Sequence, residues 1–346
     1  MMDKDMAGTD EGRRTAPTLV EVARLAGVSR ATASRALNGG LRVSPEAMDA
    51  VRRAVAELGY SPNRAARSLV TRRTDSIAVV VPESDDRVFS DPFFAVTLRG
   101  VTSALAATDI QAVLLVGQGR HDVGRVERYL RGGHTDGAIV VSHHQADTLA
   151  VTLREIGLPS VYVGRPLAPD ADVPYVDVDN VAGARLAVEH LIAQGRRRIG
   201  LIAGPQDMSA GVDRLAGWRT ALAAAGLDAP EPVVADFTLA GGAAAADRLM
   251  AAHPELDAVF AASDRMAAGA LPIIAAHGRN VPDDVAVIGY DDLELASQTH
   301  PPLTTVVNPV IDMATRAVHM VLDQIAGRDV ASPVLLTTHL VLRRSA

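Results

Sequence analysis

Two groups of residues in this 346-residue chain carry chemistry. The first is Arg30, Ala31, Ser34 and Arg35, which at i, i+1, i+4 and i+5 share one face of a helix. A short helix that turns small residues and two guanidinium forks outward suits the DNA major groove, where arginine grips guanine edges in bidentate fashion. The second group is scattered: Phe93 and Phe94, Ser142 to His144, Arg165, Arg214, Phe237, Ser263 with Asp264, and Asp291 with Asp292. These lie at or just beyond the ends of short apolar runs. Aromatic residues make up only 3% of the chain, so three of its five phenylalanines in such places are unlike plain core filling. An apolar aromatic face rimmed by Arg and Asp is what a sugar ring or a nucleobase requires: stacking, plus charge-assisted hydrogen bonds to hydroxyls.

The first group needs a helical hairpin. Leu19, Val22, Ala23 and Ala26 recur at helical spacing, so 18–26 reads as a helix capped by Thr18. Gly27 supplies the positive φ of a tight turn, Val28 plugs it, and Ser29 caps a second helix whose Ala33, Ala36 and Leu37 face inward. A third helix opens with Ser44 as cap and Pro45 at its first position, and stops at Gly59. Its apolar face would be Met48, Val51, Val55 and Leu58, with Val43 stapled onto Met48.

The second group needs strand ends. Strands are expected over 77–81, 111–116, 138–141 and 160–163, alternating with helices over 96–107, 123–131 and a stretch ending at 156. The second half repeats the pattern: strands over 199–203, 233–237, 258–262 and 285–290, helices over 180–194, 212–225, 242–252 and 266–277. Nearly continuous apolar strands alternating with helices predict an α/β body of two doubly wound parallel sheets. Ligands of such sheets sit beyond the strand C-termini.

Charge is divided accordingly. The net charge of −7 hides a basic head: residues 1–73 hold 13 Lys+Arg against 8 Asp+Glu, whereas the remainder holds 21 against 33. A basic head on an acidic body fits a nucleic-acid-binding module joined to a domain with another task. The chain has no cysteine, which excludes disulfides and thiolate-held metals. Its one lysine, Lys4, lies in the polar tail, so the body lacks a phosphate-loop or Schiff-base lysine. Gly117-x-Gly119 is followed by Asp122 where a nucleotide fingerprint needs a third glycine, and no Gly-x-Ser-x-Gly elbow is present. No apolar run approaches the ~20 residues of a membrane span. The polar, acid-rich stretch from Met1 to Glu11 is no secretion signal, so a cytoplasmic protein is expected.

Thr18-Leu19-Val20-Glu21-Val22-Ala23, Ala26-Gly27-Val28-Ser29, Thr32, Ser34-Arg35 and Asn38 resemble the signature of the lactose/galactose repressor family. Val43-Ser44, Leu58-Gly59-Tyr60 and Pro62-Asn63 continue it, with Glu21 for the more usual aspartate and Ala33 for valine. Val178-Asp179-Asn180, Gly204-Pro205, Arg214-Leu215-Ala216-Gly217-Trp218, Ser263-Asp264, Gly289-Tyr290-Asp291-Asp292 and Pro301-Pro302-Leu303-Thr304-Thr305 extend the likeness over the body, with Ser263 where asparagine is frequent.

The resemblance implies a helix-turn-helix DNA-binding head and a body similar to periplasmic sugar-binding proteins. In that family Arg30, Ala31 and Arg35 read bases, and Thr18, Ser29, Thr32, Ser34 and Asn38 hold phosphates. Asn63, Ala66 and Leu69 belong to a hinge whose leucine wedges the minor groove. Phe93, Phe94, His143, Arg165, Arg214, Phe237, Ser263 and Asp291 fall on the effector site. The implied divisions are a disordered tail over 1–17, the head over 18–62, a hinge over 63–73 and an effector-binding and dimerisation domain over 74–346. Its N-subdomain takes 74–176 and 307–334, its C-subdomain 177–306 and 335–344, with crossings near Val176, Val306 and Val334. Expected partners are a roughly palindromic DNA operator, a second copy of the chain, and a small molecule, a sugar or alternatively a purine corepressor; neither cofactor nor metal is expected. Leu342-Arg343-Arg344 carries no leucine heptad, so the tetramer-forming tail of some relatives is not expected; a dimer is. Asp264 reads more readily as a helix cap than as a ligand. Arg165 and Asp292 could equally form structural pairs. His143 and His144, adjacent in a strand, would point to opposite faces and hold no metal.

Overall fold

The computed structural model describes residues 17–37, 43–60, 73–117, 119–167 and 173–346. Asn38, Asn63, Ala66, Leu69 and the first sixteen residues lie outside them. The chain divides into two compact units after Thr74.

The first unit is a three-helix head: α1 (Leu19–Leu25), α2 (Arg30–Leu37) and α3 (Pro45–Leu58). Thr18 accepts from the Glu21 N–H while the Glu21 carboxylate takes the Thr18 N–H, a full capping box. Gly27 adopts φ 66°, and Ser29 Oγ accepts from the Thr32 N–H at 3.0 Å. Ser44 caps α3, Pro45 opens it, and left-handed Gly59 closes it. Val22, Ala23, Ala33, Val51 and Ala54 form the core, with Leu19, Val28, Val55, Leu58 and Tyr60 packed around them. Ala54 therefore takes the place expected for Met48, which stays at the half-buried margin.

The second unit holds two sheets. The first contains β1 (Ser76–Val81), β2 (Gln111–Val116), β3 (Gly137–Val141), β4 (Ser160–Val163), β5 (Tyr175–Val178) and β11 (Val334–Leu336), all parallel, in the order β11-β5-β4-β3-β1-β2. The second contains β6 (Ile199–Ala203), β7 (Val233–Val234), β8 (Ala258–Ala261), β9 (Ala286–Asp291), β10 (Thr304–Val307) and β12 (Leu340–Val341), in the order β12-β10-β9-β8-β6-β7. Here β12 pairs antiparallel to β10, a departure from the all-parallel expectation at one edge.

The central strands are apolar throughout because both faces are covered. Ile77, Val79 and Val81 of β1 pack on α5 (Pro92–Leu105) and α13 (Val310–Ile325), whereas Ala78 and Val80 face α6 (Gly119–Arg131) and α7 (Leu149–Glu155). In the second sheet one face packs on α10 (Leu239–Ala252) and α11 (Asp264–Ala276), the other on α8 (Asn180–Ala193) and α9 (Ser209–Ala224). Two short helices, α4 (Asp85–Ser90) and α12 (Glu294–Gln298), complete the unit. Among the described residues no helix is long and apolar enough to cross a membrane.

Several elements differ from expectation for visible reasons. β5 carries no strand signal in the sequence because buried Asp177 interrupts its apolar run. β7 stops at Val234, since Asp236 accepts from the Thr238 N–H and Phe237 turns left-handed. The chain passes between the sheets slightly later than expected at each crossing, after Val178, after Val307 and after Leu336.

Small residues set the helix spacing. A Cβ on Gly242 of α10 would stand 2.4 Å from the Met266 backbone of α11. Gly242→Ala should therefore cost about 1–3 kcal/mol, the range for overpacking. Urea unfolding of the full chain should show a lower midpoint at unchanged slope.

Candidate functional site

On the head, Arg30, Ala31 and Arg35 are exposed and Ser34 half-buried. The Ser29 and Thr32 hydroxyls lie 2.8 Å apart, Ser29 Oγ caps α2, and Thr18 is engaged with Glu21. Arg35 Nε donates to the Ala31 carbonyl at 3.2 Å, which holds its stem along the helix. Thr18 and Ser29 thus sit at helix N-termini, where free N–H groups and the dipole favour anions, whereas Ser34 lies within α2.

In the body, the C-terminal ends of both sheets border one cleft of about 940 Å³, its open side included. It brings together seven expected residues: Phe93, Phe94, His143, Arg214, Phe237, Ser263 and Asp291. Asp91 caps α5 by accepting from the Phe93 N–H at 3.0 Å, and Pro92 opens the helix. That start places Phe93 and Phe94 edge to face, their centroids 5.3 Å apart. His143 lies in the loop beyond β3, not in the strand, and its Nε2–H points at the Gly164 carbonyl, 3.1 Å away. Burial pushes its pKa down to about 4, so it is neutral at pH 7.

Arg214 and Asp291 form the floor. Arg214 is 4% exposed; Nε donates to Asn180 Oδ1 at 2.9 Å and Nη1 to the Ala262 carbonyl at 2.6 Å. Its guanidinium lies 3.6 Å from the centre of the Tyr290 ring and 6.0 Å from that of Phe237. Nη2 faces Asp291 Oδ1 at 3.5 Å, and Asn308 Nδ2 donates to the same oxygen at 3.1 Å. Burial raises Asp291 to about 6 even though Arg214 opposes the shift. Left-handed backbone at Ser142, Phe237, Asp291 and Asp292 (φ 58°, 63°, 117° and 51°) turns these side chains at the strand ends. Such conformations are costly off glycine and persist where the surroundings enforce them.

Two expectations, for Arg165 and Asp264, are corrected, and for Asp292 the structural-pair alternative holds. Arg165 does not line the cleft: Nη2 holds Asp213 at 2.7 Å and its N–H donates to Asp177. Ser263, not Asp264, caps α11, through the Met266 N–H. Asp264 sits buried beside it and accepts from Thr305 Oγ1 at 2.6 Å; burial, with Asp291 nearby, raises its pKa. Asp292 pairs with Arg343 at 2.6 Å. Among the described residues no group of three potential ligands could hold a metal ion.

The cleft also takes residues that patterning missed. Asn180 and Asn308 follow crossing strands, where no apolar run marks them. Arg87 pairs with Glu83 at 2.8 Å, and Arg265 on α11 reaches Asp91 on the opposite wall at 2.9 Å. Only Asp91 had a readable signal, the cap-plus-proline start of α5.

Residues 18–63 match the bacterial regulatory proteins of the lacI family, and residues 188–346 match the periplasmic binding protein-like domain. The chain is similar to the HTH-type transcriptional regulator CelR of Thermobifida fusca, with 49% identity over 96% of this chain and 99% of the relative. Among solved structures it is similar to a transcriptional regulator CelR–cellobiose complex (46% identity, TM-score 0.76, 95% of this chain and 100% of that one). It is also similar to the lac repressor dimer bound to operator and the anti-inducer ONPF (27% identity, TM-score 0.86, 96% and 99%).

The raised pKa of Asp291 has a stability consequence. Between its ordinary value of 3.8 and about 6, the folded chain keeps a proton that the unfolded chain releases. Its contribution therefore favours folding most at low pH and falls as pH rises through about 6, by on the order of 3 kcal/mol. Asp291→Asn should remove that slope in denaturation curves taken between pH 4 and 7.

Proposed function

Because the chain belongs to the lacI family of bacterial regulatory proteins, we propose that it is a transcriptional repressor whose operator affinity is set by a sugar bound in the cleft. The observation that carries the sugar is the buried Arg214–Asp291 floor beneath Phe237. Arg214 and Asp291 offer a donor and an acceptor to neighbouring hydroxyls, and Phe237 offers an apolar face to a ring.

All three arginines lining the cleft already have carboxylate partners: Arg87 with Glu83, Arg214 with Asp291, and Arg265 with Asp91. An uncharged, hydroxyl-rich ligand suits such a balance better than an anion. Since a similar protein was solved with cellobiose, a neutral disaccharide of that class is the preferred effector over a purine corepressor.

In this reading Arg30, Ala31 and Arg35 contact bases and Thr18, Ser29, Thr32, Ser34 and Asn38 contact phosphates. The hinge over 63–73, with Asn63, Ala66 and Leu69 at the minor groove, links the head to the effector-binding and dimerisation domain. Two copies read two half-sites of a roughly palindromic operator, in keeping with the operator-bound dimer of the similar lac repressor. Coupling requires that the sugar prefer one arrangement of the body, and by linkage operator and sugar alter each other's affinity by the same factor. The protein works in the cytoplasm, without cofactor or catalysis.

Arg30→Ala and Arg35→Ala should each lower specific operator affinity by about 1–3 kcal/mol while leaving non-specific binding at low salt largely intact. Electrophoretic mobility shifts with a selected operator test this, and unchanged specificity would refute the base-reading role. Cellobiose should raise the melting temperature of the wild-type chain but not of Asp291→Ala. Stabilisation by a purine alone would reverse the choice of effector.

A further inference from the structure

Among the described residues, three ionic contacts tie the two halves of the body across the cleft. Two join arginine to aspartate, Asp91 to Arg265 at 2.9 Å and Arg165 to Asp213 at 2.7 Å. The third is built on a histidine. His144, beyond β3, places Nδ1 2.8 Å from Asp207 Oδ2, on the loop beyond β6, and Nε2 3.2 Å from Glu83 Oε1, beyond β1. Carboxylate oxygens only accept, so both contacts are hydrogen bonds only when both ring nitrogens carry protons. The main chain closes the same joint: Gln145 N–H donates to the Asp207 carbonyl at 2.8 Å, and Asp147 accepts from the His144 N–H at 2.6 Å.

Glu83 connects this joint to the cleft. It is 2% exposed, and the oxygen facing His144 also accepts from Ser142 Oγ at 2.6 Å and meets Arg87 Nη1 at 2.8 Å. Ser142 and Arg87 line the cleft, whereas Glu83, His144 and Asp207 do not.

We propose that Glu83, His144 and Asp207 form a clasp that holds the two halves of the body closed, and that His144 is thereby a positioning residue for effector binding. A ligand contacting both walls binds the closed arrangement, so its affinity scales with the population of that arrangement. The clasp raises that population without touching the ligand. It is also the one tie of the three that titrates in an accessible range, since the guanidinium of the other two stays charged.

The charged groups around His144 are Glu83, Asp207 and Asp147, with Arg87 beyond Glu83 and neutral His143 beside it. The hydrogen bond to Glu83, then that to Asp207, pushes its pKa up to about 9 against burial. Stabilisation by the clasp is therefore complete below the ordinary histidine value of 6.5 and is lost as pH rises through about 9.

The test uses the full-length chain, its His144→Gln and Asp207→Asn variants, and cellobiose as probe; the binding arm rests on the sugar reading above. Because the chain has no cysteine, Ser103→Cys on α5 and Ala193→Cys on α8 give one spin label in each half. Labelled chains diluted with unlabelled ones report the distance between the halves without any ligand. Both clasp variants should show longer or broader distances than wild type at pH 7, and wild type should approach them at about pH 9.5. Cellobiose titrated by calorimetry should bind each variant about five-fold or more weakly. Wild-type affinity should fall over the same pH range while His144→Gln stays level. Distances in the variants identical to wild type at both pH values would overturn the clasp. So would equal affinity with the same pH profile. If wild type does not bind cellobiose at all, the choice of sugar falls, and the label distances alone decide the clasp.

Discussion

The contact on which the body depends is the buried guanidinium of Arg214 facing Asp291. Taking two charges out of water is expensive, and attraction between them offsets the cost only when the remaining donors and acceptors are also met. Around Arg214 they largely are: Asn180, the Ala262 carbonyl and the Tyr290 ring surround it. These partners come from α8, the end of β8 and the end of β9, so one side chain ties together the C-terminal edge of the second sheet. Other constraints follow from it. Gly183 must lack a side chain, since a Cβ there would stand 2.5 Å from the Tyr290 hydroxyl. Asp291 must adopt a φ of 117°, a conformation tolerated because its surroundings leave no other.

The two sheets are stiff and the space between them is not, for reasons of chemistry. Within each half, helices cover both faces of the sheet and the core is dry and close-packed. Across the cleft, the contacts are ion pairs, a cation over an aromatic ring, and hydrogen bonds at the chain crossings, such as Asp179 N–H to the Leu336 carbonyl. Polar contacts exchange readily with water, so opening costs far less there than within either core. A ligand that supplies hydroxyls to both walls can therefore shift the balance between open and closed, which is the requirement for a regulated body.

The head solves a different problem with less material. It has too little apolar surface for a large core, and relies on caps at Thr18, Ser29 and Ser44 and on left-handed glycines at the helix ends. The same economy leaves the outward face of α2 free for Arg30, Ala31 and Arg35. Concentrating basic residues here, on a chain whose net charge is −7, gives the head its own electrostatic character.

Local and periodic features were legible in the sequence because local forces decide them. Capping pairs, the Gly27 turn, continuous apolar strands and the strand-end position of Phe237 and Asp291 depend on neighbours a few residues away. The last helix, Val310–Ile325, was not among the expected elements, although Val310, Ala314, Ala317 and Val321 recur at helical spacing. What patterning could not supply is anything settled by groups far apart in the chain. Arg165 resembled a ligand until the fold set Asp213 beside it, and Arg265 gave no sign of reaching Asp91. Asn180 and Asn308 entered the cleft only because the chain crosses there. His144 became a link between halves only when Glu83 and Asp207 arrived from either side. A residue type announces what it can bond; long-range packing decides which partner is within reach, and desolvation then decides whether the pair stays charged.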